Sequence, residues 1–178
     1  MHPGCCSAAH VAFEKLSCDI QKLNPRAKSR ARAAGLMQIM PSTASFVTKN
    51  RSYRGSQKHL LLNPERNLEI GQAYIRSLLD EPLIDRSIVH LLAAYNGGPG
   101  NLRKWLRKVD HQDDPFLLIE SIPARETRHY IKNVITNFAL YRMQLGDPSP
   151  ELLALAAGSF GRFDFTATGT VVDSADGS

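Results

Sequence analysis

Apolar residues recur every three or four positions along almost the whole chain, and no stretch alternates convincingly between apolar and polar residues. A spacing of three to four places side chains on one face of a helix, whereas strands need alternation by two. The pattern therefore predicts a mainly α protein. At 178 residues the chain is long enough to bury one sizeable core and too short for two comfortable domains.

The first 23 residues are treated as a segment of their own. Residues 8–23 are predicted to form a helix that ends before Pro25, because a proline disfavours helix in the residue before it. Ile20 lies on the apolar stripe of this helix and is expected in the core. The stripe consists of Ala12, Leu16, Ile20 and Leu23.

Capping and breaking residues bound the later helices. Asn63 is suited to cap a helix that begins at Pro64, where a missing amide hydrogen costs nothing. Asp85 is predicted to cap the next helix, which stops at Gly97 and Gly98. A short helix after Pro41 is expected to be capped by Ser42 or Thr43, another helix to open at Pro99, and a last long helix to run from near Pro123 to Gly146. The helix from Pro64 is expected to bury a stripe of Leu68, Gly71, Ile75, Leu78 and Leu79. The last helix is expected to bury Tyr130 or Ile131, with Val134, Phe138 and Tyr141.

From residue 147 onward the composition shifts to small residues without periodicity. Such a segment offers few anchors for a core, so residues 147–178 are predicted to be a mostly flexible, low-complexity tail. Within it, the piece "ELLALAA" is long enough for one or two helical turns.

Charge and composition exclude several classes of function. The net charge is +5, and Arg26, Lys28, Arg30 and Arg32 alternate in "RAKSRAR". No aromatic residue interrupts that run, so it is interpreted as a solvated basic loop, and no nucleic-acid partner is predicted. No apolar run is long enough to span a membrane, and the opening residues lack the pattern of a secretory signal. No residue pattern calls for a metal or another cofactor.

Three sequence blocks carry the polar residues suited to binding a sugar. In "AAGLMQIMPSTA", Gly35 allows a close approach of the backbone to a ligand, and Gln38 offers both a donor and an acceptor. In "AAYNGG", Tyr95 offers an aromatic face for a pyranose ring, and Asn96 an amide for a hydroxyl or acetamido group. The alternative for this second block is a plain helix end with a core tyrosine.

The third block is "ETRHY", where Glu126 and Tyr130 are four residues apart and share a helix face. They are therefore expected to point a carboxylate and a phenol into one groove. The alternative is a surface ion pair of Glu126 with Arg125 or Arg128.

Together these blocks resemble the lytic transglycosylases of the soluble, lysozyme-like superfamily. The matching blocks, in the family's order, are "NPRAKSRARAAGLMQIMPSTA", "NPERNLEIGQAYI", "AAYNGGPGNLRKW" and "IPARETRHYIKNV". The resemblance runs from Asn24 to Met143 and implies a lysozyme-like helical domain over residues 24–146.

The resemblance also implies a function. Members cleave peptidoglycan glycan strands between N-acetylmuramic acid (MurNAc) and N-acetylglucosamine (GlcNAc), and close a 1,6-anhydro ring without net addition of water. It implies a monomer in the periplasm or cell envelope that needs no cofactor. The residues it assigns to the substrate groove are Ser29, which lies near the catalytic acid, Gln38, Met40, Tyr95, Asn96 and Glu126, with Tyr130 on the same helix face as Glu126.

The family's catalytic glutamate is missing from its expected position. Counting back from Pro25 and Gly35, the family's Glu-Ser dipeptide falls on Ile20 and Gln21. Isoleucine cannot donate a proton. Asp19 is turned about 100° away on a helix, and Glu14 is off the stripe. The catalytic residue is therefore unassigned.

Two explanations of the missing acid are open. The chain is a pseudoenzyme that binds glycan without cutting it, or residues 1–23 do not represent the family's first helix. The abrupt start of the match at Asn24 favours the second. A goose-type lysozyme-like hydrolase, which would release reducing ends, is a third reading of the same blocks.

Overall fold

Helices dominate the chain, as the periodicity predicts. A computed structural model describes residues 24–146 and 149–162, and within these ranges it contains seven α-helices and no β-strand. The mainly α fold is thereby confirmed. The α-helices are α1 (Pro41–Val47), α2 (Pro64–Leu79), α3 (Ile88–Gly97), α4 (Pro99–Lys108), α5 (Pro115–Ser121), α6 (Arg125–Gln144) and α7 (Pro150–Ala156), and three 3-10 helices span Arg51–Arg54, Lys58–Leu62 and Pro82–Ile84.

Helix α3 is the centre of the core. It packs against α2, α4 and α6, and every residue from Ile88 to Ala94 except the half-buried His90 is buried. An almost wholly apolar helix of this kind can only be stable when neighbours surround it. The end of α3, where Tyr95 and Asn96 lie, is consequently held in place from three sides.

Two of the predicted helix caps are observed. The Asn63 side chain accepts a hydrogen bond of 2.9 Å from the Arg66 amide, and α2 begins at Pro64. Helix α3 ends at Gly97, and Gly98 has a φ of 86°, a left-handed value that glycine adopts without strain.

The other predicted caps are wrong. Helix α3 is capped by Ser87, whereas Asp85 has a left-handed backbone and forms an ion pair with Arg162. Helix α1 begins at Pro41 without a side-chain cap, so neither Ser42 nor Thr43 caps it. In each case the helix starts at a position other than the one expected, and the expected capping side chain therefore faces other partners.

The buried stripes are close to those predicted, with one informative shift. In α2 the buried residues are Asn67, Ile70, Gly71, Ile75 and Leu78. Leu68 and Leu79, predicted as core, are only half-buried. The stripe therefore includes a polar residue, Asn67. In α6 the buried residues are Thr127, Ile131, Val134 and Phe138, and Tyr141 is half-buried.

Part of the segment predicted as a flexible tail packs on the domain. Leu155 of α7 is buried, and the Phe160 ring lies 4.9 Å from the ring of His90. The Gly161 carbonyl accepts a hydrogen bond of 3.1 Å from the Ile88 amide. These contacts and the ion pair of Arg162 with Asp85 dock the segment, and such scattered anchors leave no periodicity in the sequence.

Several sequence expectations lie outside the described residues. The predicted helix over residues 8–23 does, with Ile20 and the three cysteines, as do residues 147, 148 and 163–178. Among the residues that are described, no helix is both long and apolar enough to cross a membrane.

Candidate functional site

The segment from Ala27 to Met40 forms a folded loop that makes one wall of a small cavity. Within it, Lys28 and Ala34 form an antiparallel bridge, and Ala34 forms a second one with Ile39. The Ser29 hydroxyl accepts a bond of 3.0 Å from the Ala33 amide. Because the loop satisfies so many of its own polar groups, its side chains are held in fixed directions.

Asn67 of α2 fixes this loop to the core. Its side-chain oxygen accepts a bond of 2.7 Å from the Met37 amide, and its nitrogen donates to the carbonyls of Ala34 and Leu61, both at 2.9 Å. Asn67 is fully buried, so these bonds compensate its loss of hydration. An asparagine at this position thus replaces an apolar contact with three directed bonds.

Gly35 is required for this arrangement. Its φ is 77°, and a Cβ atom here would come within 2.3 Å of the Leu61 carbonyl oxygen and 2.4 Å of the Asn67 side-chain nitrogen. Any larger residue would push the loop off Asn67. Packing within the protein thus accounts for the glycine, and its close approach to a ligand stays a prediction.

Gln38 is committed to the loop by one half of its amide. Its backbone is left-handed, with a φ of 47°. The side-chain nitrogen donates to the Gly35 carbonyl at 2.8 Å and to the Ala27 carbonyl at 3.4 Å. The predicted donor and acceptor pair is thus reduced to an acceptor, because the nitrogen is engaged and the oxygen Oε1 is the atom left to meet a ligand.

Tyr95 ties α3 to the loop. Its hydroxyl donates a bond of 2.8 Å to the Met37 carbonyl. The ring is parallel to that of Tyr130, with 6.3 Å between centroids, and tilted against Tyr74 at 5.4 Å. Burial, together with the two neighbouring phenols, raises the pKa of Tyr95 well above its usual value. The hydroxyl therefore stays protonated and remains a donor.

Asn96 and Glu126 present opposite hydrogen-bonding character. The Asn96 oxygen accepts a bond of 2.8 Å from the buried Thr127 hydroxyl, so the amide nitrogen, a donor, is the atom of this side chain left for a ligand. Glu126 lies in the first turn of α6 and is exposed, where the helix dipole favours a carboxylate. A ligand at this place meets a donor beside a negatively charged acceptor.

The proposed surface ion pair of Glu126 is not formed among the described residues. Arg125 donates to the His129 ring at 3.4 Å, and Arg128 donates to the Ile122 carbonyl. None of the ion pairs within residues 24–146 and 149–162 includes Glu126. Its carboxylate is therefore available to the cavity.

The structure brings all seven predicted groove residues to one cavity of about 180 Å³, which we call the small cavity. The loop, the end of α3 and the start of α6 each form part of its wall. A site enclosing a whole drug-sized ligand usually has roughly 300–1,000 Å³, so the small cavity suits one part of an extended chain. Eleven residues line it, and the seven predicted ones among them are Ser29, Gln38, Met40, Tyr95, Asn96, Glu126 and Tyr130.

Asn67 and Thr127 are the residues of the site that sequence reasoning missed. Both are buried polar side chains, and each orients a groove element: Asn67 the loop and Thr127 the amide of Asn96. A signal for Asn67 was present, because it stands three residues before Ile70 on an otherwise apolar stripe. A buried polar residue on such a stripe must find hydrogen bonds.

Comparison with known proteins finds one family along most of the described domain. The family model for the Transglycosylase SLT domain matches residues 22–116. The soluble lytic murein transglycosylase of Escherichia coli strain K12 is 42% identical over 132 residues, which is 74% of this chain and 20% of that protein. The protein of the same description from Salmonella typhimurium is 42% identical over 126 residues, 69% of this chain and 19% of the relative.

Solved structures agree with this. The crystal structure of the 70 kDa soluble lytic transglycosylase from Escherichia coli matches with a TM-score of 0.69 and 37% identity, over 85% of this chain and 24% of that one. A complex of the 70 kDa soluble lytic transglycosylase with bulgecin A matches with a TM-score of 0.70 and 36% identity, over the same shares. This chain thus spans about a fifth of the length of the curated relatives and about a quarter of these structures.

Proposed function

Because this chain belongs to the Transglycosylase SLT domain family, we propose that its small cavity binds the glycan strands of peptidoglycan. The observation that supports this most strongly is the convergence of three separate segments on one cavity, with Gln38, Tyr95 and Glu126 all lining it. Residues so far apart in sequence share a cavity only because the fold brings them together. The relatives named above are murein transglycosylases by description.

The polar atoms of the cavity suit an acetylated sugar. The Asn96 nitrogen supplies a donor for a carbonyl or hydroxyl oxygen, and the Gln38 oxygen and Glu126 carboxylate supply acceptors for N–H and O–H groups. An N-acetyl sugar carries both kinds of group. Each of these side chains except Glu126 is held by a bond within the protein, so little ordering is needed on binding.

The reaction we assign to the domain is cleavage of the β-1,4 bond between MurNAc and GlcNAc with a 1,6-anhydro product. A single carboxylic acid protonates the leaving glycosidic oxygen, and the resulting carboxylate takes the proton of the C6 hydroxyl as that oxygen closes the ring on C1. No water is added, which separates this reaction from hydrolysis by two carboxylates. Such an acid works best in a partly apolar environment.

We propose that this reaction is impaired in the present chain. The position expected for the acid is Ile20, which has no proton to give. Glu126 is exposed and lies in the first turn of α6, more than 100 residues along the chain from the position expected for the acid, and there it suits binding rather than proton transfer. The second candidate function, favoured by the same isoleucine, is that of an inactive peptidoglycan-binding protein.

The setting of the proposed function follows from the ligand. Peptidoglycan lies outside the inner membrane, so we assign the protein to the periplasm or cell envelope. We further propose that residues 24–146 act as one monomeric domain that needs no cofactor.

Binding to sacculi with and without cleavage tests the proposal. The chain should co-sediment with purified sacculi, and Gln38→Ala should lower the bound fraction because it removes an acceptor and loosens the loop. Gln112→Ala is the matched control: Gln112 also has a φ of 47° but lines neither described cavity near the loop. Equal binding by both variants would show that the small cavity is not the glycan site. Release of anhydro-muropeptides by the unmodified chain would contradict the proposed impairment of cleavage.

A further inference from the structure

A second and larger cavity adjoins the small one. It encloses about 660 Å³ and shares Ser29 and Met40 with the small cavity, so the two cavities are adjacent on the loop. Its other walls are the start of α1 and the two 3-10 helices Arg51–Arg54 and Lys58–Leu62. A branched ligand whose sugar lies in the small cavity therefore has a second cavity beside it for its branch.

The charge of this second cavity is of one sign. Four basic side chains line it, and no aspartate or glutamate does so within the part of the chain that the structure describes. We call it the basic cavity. The described ion pairs engage Arg66, Lys132 and Arg162, none of which lies here. A concave wall of like charges creates a field that attracts anions. The four basic residues are Lys28, Arg32, Arg54 and Lys58.

Two of these charges sit on rigid supports. Arg54 ends a 3-10 helix whose first turn is capped by Asn50, and Lys58 begins the next one. Tyr53, between them and the core, is buried and accepts a bond of 2.8 Å from Arg66. The backbone positions of Arg54 and Lys58 are therefore fixed, while their exposed side chains remain able to reach a ligand.

Arg32 is an unusual choice for its backbone. Its φ is 70°, in the left-handed region where glycine is the least strained residue. The turn that holds it is closed by a bond of 3.0 Å from the Arg32 amide to the Ser29 carbonyl. Glycine would make the same turn with less strain, so the fold does not require an arginine at this position. What Arg32 adds is a positive charge in the cavity.

We propose that the basic cavity binds the carboxylates of the peptide stem that MurNAc carries, while the sugar itself lies in the small cavity. This proposal rests on the proposed function, because the stem is joined to the sugar that binds in the adjacent small cavity. Stem peptides carry several carboxylates, which are ionised at neutral pH. The shared residues Ser29 and Met40 mark the place where the stem leaves the sugar. No phenylalanine, tyrosine or tryptophan lines the basic cavity, which disfavours nucleic acid, since single strands need a stacking surface.

Two forms of one ligand test this. The affinities of the full chain are compared for soluble glycan strands with their peptides attached and for the same strands after an amidase has removed the peptides. The amidase leaves one lactyl carboxylate on each MurNAc, so the comparison isolates the carboxylates of the peptide itself. The peptide-bearing strands should bind about tenfold more tightly, since several exposed ion pairs add modestly to one another. That preference should shrink as salt rises from about 0.1 M to about 1 M, where the screening length falls from roughly 10 Å to roughly 3 Å.

Substitutions in the basic cavity test whether its side chains cause the preference for peptide-bearing strands. Arg32→Gly should lower the ratio of the two affinities about threefold and should not lower the melting temperature, because it relieves the left-handed strain. Lys58→Gln should lower the ratio similarly without any backbone change. Arg30→Gln is the matched control, since Arg30 belongs to the same basic run but lines neither cavity.

The outcomes separate the two proposals. Equal affinity for both strand forms, or a ratio that Arg32→Gly and Lys58→Gln leave unchanged, overturns the stem site while the glycan site stands. Absence of binding to either form overturns the glycan proposal itself. A ratio lowered equally by Arg30→Gln would assign the effect to net charge and would likewise overturn the stem site.

Discussion

The small cavity and the basic cavity adjoin each other and share Ser29 and Met40, yet they are built in different ways. In the small cavity the groups are mostly uncharged and already bonded to the protein: Gln38 to the Gly35 carbonyl and Tyr95 to the Met37 carbonyl. In the basic cavity the groups are exposed cations that have no acidic partner among the lining residues.

This difference separates two kinds of recognition. Prebonded neutral groups select a ligand by shape and by the order of its donors and acceptors, and salt affects them little. Exposed cations act at longer range and weaken as salt rises. One surface can therefore identify a sugar in one cavity and sense the charge it carries in the next.

The largest expected effect concerns cleavage rather than binding. Ile20→Glu places a carboxylic acid at the position that the resemblance assigns to the family's catalytic acid, and a positioned general acid contributes about a hundred- to ten-thousandfold to a rate. We expect release of anhydro-muropeptides from sacculi to rise by that order, measured by chromatography of the soluble products. Ile20→Gln, which is similar in size and cannot donate a proton in the same way, is the control. If Ile20→Glu gives no more product than Ile20→Gln, residue 20 does not stand at the catalytic position.

The next largest effect is expected from a substitution of Asn67, which should weaken ligand binding in both cavities. Asn67 holds the loop that supplies Gln38 to one cavity and Arg32 to the other. Asn67→Ala removes the side-chain partner of the Met37 amide and the Leu61 carbonyl, and one of the two bonds to the Ala34 carbonyl, which keeps its bond of 3.0 Å from the Ile39 amide. We therefore expect a loss of about 3 kcal/mol in the free energy of unfolding, measured by urea denaturation. Affinity should fall for peptide-bearing and peptide-free strands alike.

Asn101→Ala provides the matched control for that change. Asn101 is exposed and makes one bond of 2.8 Å from its side chain to the Gly97 carbonyl. Its loss should cost no more than about 1 kcal/mol. A comparable loss in the two variants would mean that the three bonds of Asn67 do not hold the loop.

The smallest effect is expected from a substitution of Tyr95, which should weaken binding in the small cavity and leave the basic cavity unchanged. Tyr95→Phe removes only the hydroxyl that donates to Met37, so stability should fall by about 1 kcal/mol. Peptide-free strands should bind more weakly, while the ratio between the two strand forms should stay the same. Tyr53→Phe removes a similar bond, from Arg66, at a residue that lines neither cavity and supports only the basic one. It should lower the melting temperature without weakening the binding of peptide-free strands, and a loss of that binding by both variants would assign the effect to stability alone.

Sequence reasoning worked where local chemistry decides the structure. Asn63 and Pro64 start α2, and Gly97 and Gly98 end α3, because caps and breakers act within a few residues. The resemblance to the family also predicts that the seven groove residues share one site. In the structure they line one cavity, and their role in binding stays a prediction.

It failed where distant partners decide. The engaged nitrogen of Gln38 depends on the carbonyls of a folded loop, and the role of Asn67 depends on a loop about 30 residues earlier in the chain. The sequence predicts a capping role for Asp85, because no local pattern reveals its distant partner, Arg162. The packed segment around Phe160 likewise gave no periodic signal.

The central claim is that the small cavity holds the sugar. It is tested most directly by an NMR titration of the labelled chain with a peptide-free GlcNAc–MurNAc tetrasaccharide. A sugar bound in the small cavity should produce chemical-shift changes centred on the backbone amides of Gln38, Asn96 and Glu126 and on the side-chain amide of Asn96. Changes confined to another surface, or none at saturating sugar, would contradict it.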